Sequence, residues 1–126
     1  MADELMWPVE EIPNADSVYM RAHRMYFRSG GLAVGVFQAH EGGMSVNWEK
    51  YASAQETKQQ AARPGDNAVI GFLVGAIRAI KDLNVKHTPK DSNRAHSDVN
   101  LPDRREELTE VRVLLGRIAG IAIPLA

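Results

Sequence analysis

An α+β fold is what this chain predicts: a small mixed, mostly antiparallel sheet, a surface helix, and a C-terminal amphipathic helix packed on the sheet. Two periodicities and a pattern of turns carry that expectation. Val18, Met20 and Ala22 alternate with Tyr19, Arg21 and His23, the period of a half-buried strand. Leu108, Val111, Leu114, Leu115 and Ile118 recur at i, i+3, i+6, i+7 and i+10, the stripe of an amphipathic helix. Between them, glycine-rich turns punctuate short apolar runs.

Taken in order, residues 1–17 hold Pro8, Pro13, Asn14 and Asp16 among acidic residues, and predict an irregular lead-in anchored by Trp7 and Ile12. Residues 18–126 are expected to form one domain. Its first strand runs from Val18 to Met25. Arg28-Ser29-Gly30-Gly31 makes a turn, and Leu32 to Phe37, apolar or small on both faces, suits a central strand in which Gly35 admits a close neighbour or marks a bulge. His40-Glu41-Gly42-Gly43 turns again into a strand, Met44 to Trp48. Ser53 and Glu56 have the spacing of a capping box, opening a helix to about Ala62 whose only apolar stripe is alanine. Ala68 to Val74 reads as an interior strand, and Gly75 to Leu83 as a short helix capped by Asn84. Val85 to Thr88 and Arg94 to Leu101 are further strands, separated by a polar loop. Asp103 to Glu106 can cap the last helix. The apolar end from Ile121 to Ala126 would be a liability in water, so it should pack on the core or on another subunit.

Composition narrows the function classes. With 126 residues and 44% hydrophobic side chains, the chain can build one core without disulfides or a structural metal. The absence of cysteine removes thiolate catalysis, zinc ribbons and iron–sulfur ligation. Fifteen basic and sixteen acidic residues give a net charge of −1, which does not favour a nucleic-acid partner bound through phosphate neutralisation. The acidic N-terminus does not read as a signal peptide, and Arg112 and Arg117 interrupt a tail too short to span a bilayer. The expectation is a soluble, cytoplasmic protein with no membrane partner.

No standard catalytic or cofactor motif is present, and no cofactor is expected. Gly30, Gly31 and Gly35 fit neither the dinucleotide fingerprint nor a P-loop, and there is no Gly-x-Ser-x-Gly elbow. No histidine pair has metal-ligand spacing on a helix, so no metal site is expected. His87-Thr88 and His96-Ser97 lack the His-x-Ser/Thr spacing of the two-histidine phosphoesterases. Arg94-Ala95-His96-Ser97 resembles the phosphate-recognising segment of RNA phosphotransferases related to ADP-ribosyltransferases; the neighbouring motifs of that family are absent, and its activity is not carried over. Trp48 and Tyr51 flank Lys50, as a base-stacking platform would, but Trp48 is in phase with Met44 and Val46 and belongs to the core.

The arrangement with chemical content is the outward face of two strands. Tyr19, Arg21 and His23 share one face of the first, and Arg94, His96 and Asp98 one face of the last. If the strands share a hollow, His23 and His96 serve as acid and base, because imidazole titrates near neutral pH. Arg21 and Arg94 would clamp an anion, Asp98 would orient His96, and Tyr19, Ser45 or Asn93 would add hydrogen bonds. The competing reading is a solvated sheet face. Two functions follow. The first is a small binding or accessory protein that recognises an anionic ligand or a protein partner, or self-associates through its apolar C-terminus. The alternative is a metal-independent enzyme acting on an RNA or nucleotide phosphodiester.

Overall fold

A computed structural model describes residues 7–40 and 42–125. Eight strands, three α-helices and three 3-10 turns follow one another: β1 (Ser17–His23), β2 (Phe27–Arg28), β3 (Gly31–Leu32), β4 (Met44–Trp48), α1 (Ala54–Gln59), β5 (Asn67–Leu73), α2 (Val74–Arg78), β6 (Val85–His87), β7 (His96–Val99), α3 (Arg105–Ile118) and β8 (Gly120–Ile123). The main sheet has the order β6-β7-β4-β1-β5-β8, and each of its pairings is antiparallel. β2 and β3 form a separate hairpin.

Alternation along the strands divides the sheet. Val18, Met20 and Ala22 of β1, Val46 and Trp48 of β4, and Ile70 and Phe72 of β5 turn to the core. Helices α2 and α3 close that side through Val74, Ile77, Val111 and Leu115, with Phe37 edge-on to Phe72 at 5.9 Å between ring centroids. The other face carries Tyr19, Arg21, Asn47 and His96, and short α1 lies across part of it. Ser53 and Glu56 close the capping box at its start. Thr57, buried, accepts a hydrogen bond from Asn47 and ties the helix down. No helix among the described residues is long and apolar enough to cross a membrane.

Three expectations need correcting. Leu32 to Phe37 is not a central strand: after β3 the chain makes a 3-10 turn, Val34–Val36, under α3, where Arg112 donates to the Phe37 carbonyl at 2.8 Å. Only Val36 and Phe37 of this run are buried while Val34 stays exposed, and nothing lies within 4 Å of where a Cβ on Gly35 would stand. Asn84 does not cap α2; the left-handed residue is Asp82, at φ 65°. The N-cap of α3 falls within Asp103 to Glu106 at Arg104, which makes no side-chain capping hydrogen bond, while Glu106 and Glu107 favour the dipole from the first turn. Finally, the apolar tail is itself a strand. β8 pairs with β5, placing Ile123 opposite Val69 and Ile121 opposite Ile70, and Ile121 remains 61% exposed at the sheet edge.

Candidate functional site

The site arises from a break in the sheet. β1 and β4 pair only where Val18 meets Trp48 and Tyr19 meets Asn47. From there β1 continues with β5 as far as His23, while β4 starts at Met44 alongside β7. The two strands therefore part, and a wedge-shaped cavity of about 470 Å³ opens between them. Tyr19, Arg21 and His23 line it from β1, Ser45 and Asn47 from β4, and His96 from β7. The loop after β1 closes one end with Tyr26, Gln38 and His40; Lys90 and Asn93 border the mouth. A second lobe of about 520 Å³ shares His40, Ser45, Lys90 and His96 and adds Thr88 and Asp98.

Histidines 23 and 96, one from an early strand and one from a late strand, thus border the same hollow. Their hydrogen bonds assign opposite neutral tautomers. The Met25 amide donates to His23 Nδ1 at 3.0 Å, so His23 carries its proton on Nε2. His96 Nδ1 faces the Thr88 carbonyl at 2.9 Å, an atom that only accepts, so His96 carries its proton on Nδ1 and leaves Nε2 bare. Ser45 Oγ lies 3.2 Å and Asp98 Oδ1 4.0 Å from that Nε2.

Arg21 donates to the Thr57 carbonyl at 3.1 Å and has no carboxylate partner among the described residues. Although the guanidinium opens to solvent at the cavity mouth, partial burial lowers its pKa from the ordinary arginine value. Lys90 likewise has no ion pair among the described residues; none of the described carboxylates lines the first lobe, and Asp98 lines the second. The ring of Tyr19 lies over Gly71, where an added Cβ would stand 3.4 Å from its Cε1.

Two of the residues expected in the site behave differently. The amide of Asn93 is spent on the scaffold: it donates to Asn47 Oδ1 at 2.8 Å and accepts from the Ala95 amide at 3.2 Å. Arg94 is not in the cleft at all. β7 begins only at His96, so the strand alternation that would have aligned Arg94 with His96 and Asp98 does not reach it. Its guanidinium instead stacks between Tyr51, at 4.0 Å, and Trp7, at 4.7 Å, on the core side of the sheet. The Nη2 group donates to the Tyr51 hydroxyl at 3.1 Å and approaches Glu10 at 3.8 Å. Conversely, Lys90, His40, Gln38 and Tyr26 border the cleft without any sequence signal, since loop closure brings them there.

Comparison with known proteins returns no match: no family model, no curated protein and no solved structure is significantly similar to this chain.

Proposed function

We propose that the wedge between β1 and β4 binds a small anionic ligand, of the size and charge of a phosphate-bearing metabolite or nucleotide. The observation that carries this reading is Arg21, a partly desolvated guanidinium that lines the cavity with no counter-ion among the described residues. A partly desolvated cation without a counter-ion favours an incoming anion, which accepts charge-assisted hydrogen bonds from it. Lys90 and the imidazoles of His23 and His40 border the same space and add donors. Of the two kinds of partner expected from the sequence, a ligand is favoured by the uncompensated charge in the wedge; the apolar tail pairs with β5 and leaves Ile121 exposed at the sheet edge.

Calorimetric titration with inorganic phosphate and with AMP tests this. Saturable binding is expected, weakened about ten- to a hundredfold by Arg21→Gln, the range a lost charged hydrogen bond spans. Absence of binding at millimolar ligand, or equal binding by the variant, would overturn it.

A second reading, hydrolysis of a nucleotide phosphodiester, draws support from the complementary tautomers. His23 offers a proton and His96 a lone pair, which are the two roles that general acid–base cleavage of such a bond requires. In that case His23→Ala and His96→Ala each abolish turnover of a cyclic nucleotide with the fold intact; turnover that survives in either variant would rule it out.

A further inference from the structure

We propose that Ser45 is a nucleophile activated by His96, and that the cleft performs acyl transfer from a carboxylic ester carrying a negative charge. The hydrogen-bond directions around His96 carry the argument. Its Nδ1–H is held by two Thr88 oxygens, the carbonyl at 2.9 Å and Oγ1 at 3.0 Å. The Thr88 hydroxyl proton goes to Asp98 Oδ2 at 2.7 Å, so Oγ1 also meets the imidazole with a lone pair. The ring is thereby fixed with bare Nε2 directed at Ser45 Oγ, 3.2 Å away, and the serine hydroxyl is left to donate to it. That is the geometry of a nucleophile beside its base, with the base oriented by a third group.

The scaffold keeps it in place. Ser45 stands opposite Asp98, and Asn47 opposite His96, in the β4–β7 ladder, so Ser45, His96 and Asp98 sit on one rigid sheet face. Ser45 is exposed while His96 is buried, which leaves the hydroxyl open to a substrate and its base shielded from water. Since His96 is already anchored through Nδ1, the contact with the exposed serine hydroxyl adds little to stability.

In the first step Ser45 Oγ bonds to the ester carbonyl carbon and its proton passes to His96 Nε2. Asp98 Oδ1, at 4.0 Å, faces the imidazolium so formed. Lys90, which borders both lobes, supplies positive charge to the oxyanion. Collapse breaks the ester C–O bond, and the alcohol leaves with the proton from Nε2. Water then attacks the acyl-serine by the same route, gives its proton to Nε2, and releases the acid as the proton returns to Ser45 Oγ. The preference for an anionic ester rests on the ligand reading above, with Arg21 as the charge contact; the nucleophile itself does not depend on it.

The test is reaction of the 126-residue chain with diisopropyl fluorophosphate, in which the serine oxygen displaces fluoride and its proton leaves through His96. Peptide mass spectrometry is expected to place one adduct on Ser45, none in Ser45→Ala, and labelling slowed about a hundredfold in His96→Gln, the lower end of what a general base contributes. Circular dichroism of both variants confirms the fold. No adduct, an adduct elsewhere, or labelling of His96→Gln at the parental rate would overturn the proposal, even if phosphate binds. Hydrolysis of the 4-nitrophenyl half-ester of succinate is expected to exceed that of 4-nitrophenyl acetate about tenfold, and the preference to vanish in Arg21→Gln. A Ser45 adduct without that preference would sink the anionic reading alone and leave the nucleophile standing.

Discussion

Two clusters built from the same kinds of side chain lie on opposite sides of this sheet, and they do opposite things. On the core side Glu10, Lys50, Tyr51, His87 and Arg94 form a closed clasp over the lead-in. Lys50 reaches Glu10 at 2.7 Å, Tyr51 donates to the same carboxylate, and Arg94 stacks on the Tyr51 ring. His87 has both ring nitrogens engaged, accepting from the Glu10 amide at 3.0 Å and donating to the Arg94 carbonyl at 2.7 Å. On the wedge side Arg21 and Lys90 have no carboxylate partner among the described residues, and His96 keeps one nitrogen aimed at a hydroxyl. Polar groups that pair with one another hold a fold together, although the buried Nε of Arg94 has no hydrogen-bond partner of its own. Unsaturated ones at a cavity wall are what a ligand can use. The contrast between the two arginines, one stacked and paired, one open, is therefore a contrast between fastening and recognition.

The comparison breaks most readily at the histidines. His87→Ala strands the Glu10 N–H and the Arg94 carbonyl and removes the edge contact with Trp48, at 5.1 Å between centroids. A loss of about 2–4 kcal/mol is expected from removing this buried ring and its two part-buried hydrogen bonds, read from urea unfolding. His23→Ala, which gives up only an exposed cap to the Met25 amide, should cost about 1 kcal/mol or less by the same measurement. Equal losses would mean that the wedge histidine is as structural as the clasp histidine.

A smaller effect sharpens the same contrast through pH. The hydrogen bond from Lys50, and after it that from Tyr51, holds the Glu10 carboxyl below its ordinary pKa. The reciprocal bond from Glu10 raises the Lys50 ammonium above the usual lysine value. A depressed carboxyl stabilises the clasp above its ordinary pKa, and that contribution disappears as pH falls through the lowered value. A raised ammonium stabilises it below its ordinary pKa, and that contribution disappears as pH rises through the raised value. Tryptophan fluorescence, which senses Trp7 against Arg94 and Trp48 beneath Lys50, is expected to change at the acid and alkaline extremes and to stay flat between them. A transition near neutrality would show that Glu10 and Lys50 are not what closes the clasp.

Much of this architecture is legible along the chain. Alternation marks β1 and β4, where a one-residue slip would turn the apolar side chains away from the core, and a continuous apolar run marks β5, whose Ala68, Val69 and Ile70 are all buried. The stripe of α3 and the Ser53–Glu56 capping box are equally local signals. For the candidate site, the outward positions Tyr19, Arg21, His23 and His96 are readable from the same alternation, as is Ser45 opposite Met44 and Val46. Arg94 is misplaced by it, because alternation says nothing about where a strand begins, and a short β7 leaves that residue in the preceding turn. The apolar tail shows its need for cover but not its means, since Ile121 to Ile123 would suit a strand, a helix end or an interface equally.

Which residues face away from the core is thus written in the amino-acid order, because hydrophobic period is a property of neighbours along the chain. The capping box, the turns and the exclusion of cysteine chemistry are written there too. Which of those outward groups meet is a matter of packing in three dimensions. The parting of β1 from β4, the loop that brings His40 and Lys90 to the mouth, and the tautomers of His23 and His96 all depend on the folded arrangement of the chain. The contacts that join distant segments are set by loop closure and packing, and no local pattern encodes them.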